Sequence, residues 1–102
     1  MSAEHAVIVK FRYGFDSLDR LSELEDKLTN SIGQANVGEF DGNEIAVDLS
    51  HGSLYMYGPN ADLLLAVVLP ILRSEPFMKG AVCICRYGSA SDLSAREERI
   101  DV

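Results

Sequence analysis

Apolar and polar positions alternate along residues 6–13. Val7, Val9 and Phe11 take one side and Ile8, Lys10 and Arg12 the other, the period of two that marks a strand. Gly14 ends the run. Asp16 or Ser17 then offers an N-cap, with Asp19 in the first turn to meet the helix dipole. Leu18, Leu21, Leu24, Leu28 and Ile32 follow at spacings of 3, 3, 4 and 4, which draws one apolar stripe on a helix over residues 17–32, with Gly33 as its stop. Residues 44–49 read as strand two, with a bulged extension back to Val37 left open, and Asp41-Gly42-Asn43 is turn chemistry. Ser50-His51-Gly52 turns the chain into strand three, residues 53–57, so that the pair forms a hairpin. Asn60 caps a second helix over residues 61–73, which Pro70 is expected to kink or end. Residues 81–87 form strand four, closed by Gly88. The polar tail, residues 89–102, is expected to fray, to hold a short helical turn around residues 92–99, or to pack as an extension.

The order β-α-β-β-α-β predicts an α+β fold: a ferredoxin-like two-layer sandwich with an antiparallel sheet in the order 4-1-3-2. A single domain is expected over residues 1–88, followed by the tail. An internal echo supports two βαβ halves. Tyr13-Gly14 and Tyr57-Gly58 stand 44 positions apart at equivalent strand-to-helix junctions, and at that offset Leu21 meets Leu65, Leu24 meets Val68 and Leu28 meets Leu72.

Such a sandwich leaves an apolar surplus. Helix two is apolar nearly all round, from Leu63 to Leu72, where a helix lying on a sheet needs a single stripe. With Val7, Val9 and Phe11 under the helices, Ile8 faces the other way. On strands three and four, whichever register holds, apolar side chains remain on the face without helices. A patch of this kind marks a partner. A homodimer through the open sheet face or helix two is the leading expectation; the rival is cover by the tail through Leu93, Ile100 and Val102.

Composition narrows the classes of function. The 102 residues are 47% hydrophobic and 25% charged, a globular composition that speaks against disorder, collagen or a disulfide scaffold. Nine Lys and Arg against sixteen Asp and Glu give a net charge of −7, which disfavours nucleic acid and anionic membrane as partners. Residues 16–48 carry the whole imbalance, with nine acids against Arg20 and Lys27. Asp16, Asp19, Glu23, Asp26, Glu44 and Asp48 therefore form a candidate docking surface for a basic protein, against the plainer reading of a solvated helix face and a charged edge strand. No basic region precedes the first apolar run and no cleavage pattern follows it, so no signal peptide is expected. Cys83 and Cys85 stand too close along one strand to staple the fold. They read as core thiols in a reducing cytoplasm.

Candidate chemistry is sparse. His5 and His51 are the only histidines, so Cys83-x-Cys85 lacks the ligands of a metal site. Asp41-Gly42-Asn43-Glu44 fails the calcium-loop pattern, since position twelve is Gly52. His51 reads as a surface-loop residue, and no nucleophile elbow or phosphate-binding glycine pattern occurs. No catalytic residue, metal or cofactor is assigned. Tyr13, Tyr55, Tyr57, Arg12 and Arg86 are candidate ligand-binding residues near strand ends, with ordinary packing of the phenols as the alternative.

Gly38-Glu39-Phe40-Asp41-Gly42-Asn43-Glu44-Ile45 and Leu54-Tyr55-Met56-Tyr57-Gly58-Pro59-Asn60-Ala61-Asp62, with the closing Arg86-Tyr87-Gly88, resemble blocks of a family of small bacterial proteins of unassigned function. The resemblance covers most of the chain. It implies an α+β sandwich and a bacterial source, and it transfers no activity and no catalytic residue. The acylphosphatases share the topology, but Gly14-Phe15-Asp16-Ser17 lacks their Arg-and-glycine loop. The expected function is that of a non-catalytic cytoplasmic module acting through protein contacts as a homodimer. A small-ligand sensor and an acidic, immunity-type protein binding a basic partner are the alternatives. A dimeric α+β barrel oxygenase ranks last.

Overall fold

The computed structural model describes residues 4–88 and 92–102. The chain forms β1 (His5–Arg12), α1 (Asp19–Ala35), β2 (Glu39–Ile45), β3 (His51–Gly58), α2 (Ala61–Arg73), a 3-10 turn (Pro76–Met78), β4 (Val82–Arg86) and β5 (Glu97–Asp101). The strands make one antiparallel sheet in the order β2-β3-β1-β4-β5. Both helices lie on one side of it, where α1 and α2 touch. The fold is therefore α+β, with a helix layer on a five-stranded antiparallel sheet.

Period and stripe decide what is buried. On α1, Leu21, Leu24, Leu28 and Ile32 are at most 2% exposed, and on α2 Ala61, Leu64, Val68 and Leu72 are fully buried. They meet Val7, Val9 and Phe11 of β1, Leu54 and Met56 of β3, and Cys83 and Cys85 of β4 in one core cluster. The helix half of the 44-residue echo follows this pattern: Leu24 and Val68, and Leu28 and Leu72, are buried pairs. The tyrosines do not. Tyr13 continues the Val7–Phe11 side and is buried, whereas Tyr57 lies on the opposite face from Met56 and is half-buried.

Several boundaries depart from expectation, each for a local reason. α1 runs through Gly33 and ends at Asn36, which takes the left-handed conformation (φ 54°) expected of a glycine stop. Its N-cap position is Leu18, without a side-chain bond; Ser17 Oγ only approaches Asp19 N–H at 3.4 Å, and Asp16 does not cap. β2 extends back to Glu39 and stops at Ile45. A bulge at Asp41 between Phe40 and Gly42 absorbs the residues that read as a turn. The turn itself is residues 46–50, with Leu49 at φ 61°, so Val47 is fully exposed instead of in a strand. Pro70 sits inside α2 without ending it. It and Ala66 are both exposed, so the carbonyl it leaves without a donor is on the solvent side.

The tail adds a strand to the sheet. Residues 97–101 are a strand, not a helical turn, and they pair with β4 instead of folding over the open face. Ile100 lies opposite Cys83 and packs, with Val102, against the edge of the core, while Leu93 is 96% exposed. The sheet thus continues past the expected domain end at residue 88; residues 89–91 of the tail lie outside the described residues. No helix among the described residues is long and apolar enough to cross a membrane.

Candidate functional site

Strand alternation and register together define the face that no helix covers. Across its middle run Gly42, Tyr55, Ile8, Ile84 and Arg99, from β2 to β5. On one side lies the row Glu39, Tyr57, Ala6, Arg86 and Glu97, and on the other the row Glu44, Ser53, Lys10, Val82 and Asp101. Arg12 and His51 form a last pair beyond these. Tyr55, Ile8 and Ile84 therefore draw an apolar bar across three adjacent strands, flanked by Tyr57, Ala6 and Val82. Ile8, Tyr55, Tyr57, Val82 and Ile84 are all half-buried, as neighbours within one sheet shield each other only from the side.

Charge rings the bar. Glu39 and Glu44 on β2 and Glu97 and Asp101 on β5 stand at the outer strands. Asp41, at the bulge, is close enough to Tyr57 to help raise its pKa, after burial as the larger cause. Lys10 and Arg12 lie on the central strand β1. Arg86 is held by Glu97 at 3.1 Å and by the Asp92 carbonyl. Counted along the strands, the face carries Lys10, Arg12, Arg86 and Arg99 against Glu39, Asp41, Glu44, Glu97 and Asp101. With Glu4, which also raises the Tyr57 pKa, the face carries about −2 of the molecule's net charge of −7.

The five residues read as ligand-binding do not converge. Tyr55, Tyr57, Arg12 and Arg86 share the open face. Tyr13 is on the helix side, in an aromatic cluster with Phe11, Phe15 and Phe77 at centroid distances of 5.0 to 6.4 Å, and its hydroxyl donates to the Ser17 carbonyl at 2.6 Å. Two surface cavities of about 290 and 280 Å³ lie elsewhere, one between the end of α2 and Val102, the other at the β2–β3 loop beside His51. None of the five residues lines either.

The acidic set is likewise divided. Asp16, Asp19, Glu23 and Asp26 are exposed in and before α1. Glu44 points to the open face, and Asp48 sits in the 46–50 turn, where its carboxylate accepts from Ser50 N–H at 3.0 Å and Ser50 Oγ–H at 2.6 Å. Those two bonds hold the Asp48 carboxyl below its usual range. α1 and β2 are tied by Asn43 Nδ2 donating to Glu25 at 2.6 Å.

A second polar cluster closes the opposite end of the sheet. Tyr87 O–H donates to Asp62 at 2.6 Å, with Glu98 of β5 at 3.2 Å, and Arg96 lies over its ring at 4.5 Å. His5 Nδ1 accepts the N–H of Ala61 at the start of α2 at 3.0 Å. The cluster ties β1, α2, β4 and β5 together. Neither Glu98 nor His5 stood out in the sequence, because their partners are distant in the chain.

Cys83 and Cys85 are free, buried thiols; burial and their mutual proximity push Cys83 up to about 12. No group of three or more His, Cys, Asp or Glu side chains suited to a metal occurs among the described residues. Comparison with known proteins returns no match: no family model, no curated protein and no solved structure is significantly similar to this chain.

Proposed function

We propose that this chain is a cytoplasmic, non-catalytic, ferredoxin-like module extended by a fifth strand, which works through protein contacts as a homodimer joined at the open sheet faces. The observation that carries the reading is the bar of Tyr55, Ile8 and Ile84 on three adjacent strands with no second layer above it. Of the large exposed apolar residues, Leu18, Val47 and Leu93 lie singly, while Leu63 continues along α2 into exposed Ala66 and Pro70 and half-buried Val67, a narrower stripe than the three-strand bar.

The size and charge of the face favour a second copy. Five strands at about 4.8 Å, of five to eight residues each, present roughly 500 Å² per partner, or about 1,000 Å² buried in a pair, the least that a specific interface needs. Two molecules at −7 repel, and the open face, which carries the smaller share of that charge, is where they meet at the least cost. Edge-to-edge pairing is disfavoured, because β2 is bulged and both edge strands are rich in charge.

Sedimentation equilibrium of the full chain tests the reading. A dimer is expected, and Ile8→Glu, which puts a charge at the centre of the face in both copies, is expected to weaken it at least a hundredfold while leaving the far-UV spectrum unchanged. A chain that stays monomeric into the millimolar range overturns the proposal, as does an Ile8→Glu variant that dimerises normally.

A further inference from the structure

We propose that the open face docks a second protein whose apolar centre is ringed by Lys and Arg, and that such a partner displaces a second copy of this chain from it. The chemistry of the partner is set by where the carboxylates stand around the bar, whether or not the native chain pairs with itself.

The four corners of the face are Glu39 and Glu44 on β2 and Glu97 and Asp101 on β5, all exposed. Asp41 at the bulge and Glu4 add two more carboxylates; after burial, both help to raise the Tyr57 pKa. Glu97 has a cation, Arg86 at 3.1 Å. The side chains of Glu39, Asp41, Glu44 and Asp101 make no ion pair or hydrogen bond among the described residues. The remaining cations of the face are Lys10 and Arg12 on β1 and Arg99 midway along β5.

Rows four residues apart, and outer strands four spacings apart, put the corners on a rectangle of about 13 by about 19 Å. Lys10 stands two strands from Glu44, about 10 Å away. These separations exceed the screening length of about 8 Å at physiological ionic strength, so each corner acts as a local charge rather than through the net charge of the face.

A second copy meets acid with acid at every corner. With the two-fold axis along β1, Glu39 faces the other copy's Glu97 and Glu44 its Asp101. With the axis across the strands, Glu39 faces Glu44 and Glu97 faces Asp101. Along a diagonal, two corners meet themselves and the other two meet each other. The bar alone then holds two copies together, against repulsion at the rim. A surface with an apolar centre and cations at the same places keeps the contact with Tyr55, Ile8 and Ile84 and turns each repulsion into attraction. Tyr57 lies opposite Glu39, so a Lys or Arg at that corner also reaches an aromatic ring. Lys10 and Arg12 break the acidic ring on one side and give the docking a direction.

The probe is this chain given a basic ring, Glu39→Lys/Glu44→Lys/Asp101→Lys, with Glu97 kept for Arg86. In each of the orientations above, three of the four native corners then meet a lysine. Mixed with labelled native chain, it should form a heterodimer with a Kd of about a micromolar or below, at least a hundredfold tighter than either chain with itself, read by sedimentation velocity. Most of that gain should vanish between about 50 mM and about 500 mM salt. Ile8→Ser in the native chain should abolish the complex, since the bar is lost while the charges stay. A mixture no tighter than the native homodimer, a gain indifferent to salt, or a complex that survives Ile8→Ser overturns the proposal. If the native chain stays monomeric while the heterodimer forms, the dimer reading fails and the basic partner stands; if the native chain dimerises and the mixture gains nothing, the reverse holds. Melting curves check the fold of the triple variant. Should it not fold, Glu39→Lys/Glu44→Lys, confined to the edge strand β2, carries the same test with a gain of at least tenfold.

Discussion

Alanine in place of glycine should have opposite effects at two positions of this chain. Gly58 ends β3 beside the start of β2. A Cβ built on it would stand 2.2 Å from the Val37 carbonyl oxygen and 3.2 Å from the Gly38 Cα. Relief requires β2 to move by about 1 Å, since both obstacles are backbone, and overpacking of this kind costs about 1–3 kcal/mol. At Gly33, inside α1, a Cβ meets nothing within 4 Å. There, alanine removes only the conformational entropy of glycine and should gain about 0.5–1 kcal/mol. Gly58→Ala should therefore lower the melting temperature by roughly 5–20 °C and Gly33→Ala raise it by a few degrees, at about 4–8 °C per kcal/mol for a domain of this size. Urea unfolding followed by circular dichroism reads both, with protein concentration held fixed because association adds to stability. The steric reasoning is refuted if Gly58→Ala unfolds within about 0.5 kcal/mol of the native chain, or if Gly33→Ala is the less stable of the two.

Three further outcomes follow from the titrating groups. Glu25 has its pKa raised by burial, against the Asn43 hydrogen bond that lowers it and with Asp26 adding repulsion. A raised carboxyl pKa gives stability that is present below about 4.5 and lost as pH rises through the folded value, so Glu25→Gln should be more stable than the native chain at pH 7, with the difference vanishing in acid, read from urea midpoints. Tyr87 is raised mainly by its bond to Asp62; the stability lost on Tyr87→Phe should be present at pH 8 and shrink as pH climbs above about 10, measured as the difference in urea midpoints. Cys83 at about 12, and Cys85, raised first by burial, should resist a disulfide reagent at pH 8 in the folded chain and react fully in urea.

What was legible in the sequence is what local chemistry alone decides. The α1 stripe reads correctly from Leu21 to Ile32, which keep a helical period with polar residues between them; Leu18, expected in it, is at the N-cap position and 42% exposed. The start of α2 reads correctly because Asn60 accepts from the N–H groups of Asp62 and Leu63. β1 reads correctly because its two sides differ in polarity. β3 and β4 are apolar on both sides, so their facing depends on long-range register: Tyr55 opposite Ile8, and Ile8 opposite Ile84. That pairing is why the bar on the open face emerges only in three dimensions.

β2 was obscured by its bulge, which places Asp41-Gly42-Asn43 within a strand although the same residues favour a turn. β5 was hidden by composition. Glu97, Glu98, Arg99 and Asp101 read as a solvated tail, and only Ile100 and Val102, alternating toward the core, betray a strand. The Tyr-Gly echo misled for a related reason: a shift of one residue in phase between β1 and β3 sends Tyr13 to the core and Tyr57 to the open face.

The most direct test of the shared face is hydroxyl-radical footprinting of the native chain well below and well above its dissociation constant. Tyr55 and Tyr57, on the open face, are predicted to become protected as concentration rises, while Leu63 on α2 and Leu93 near β5 keep their reactivity. Protection of Leu63 with unchanged Tyr55 and Tyr57 would move the interface to the helix layer and contradict the account.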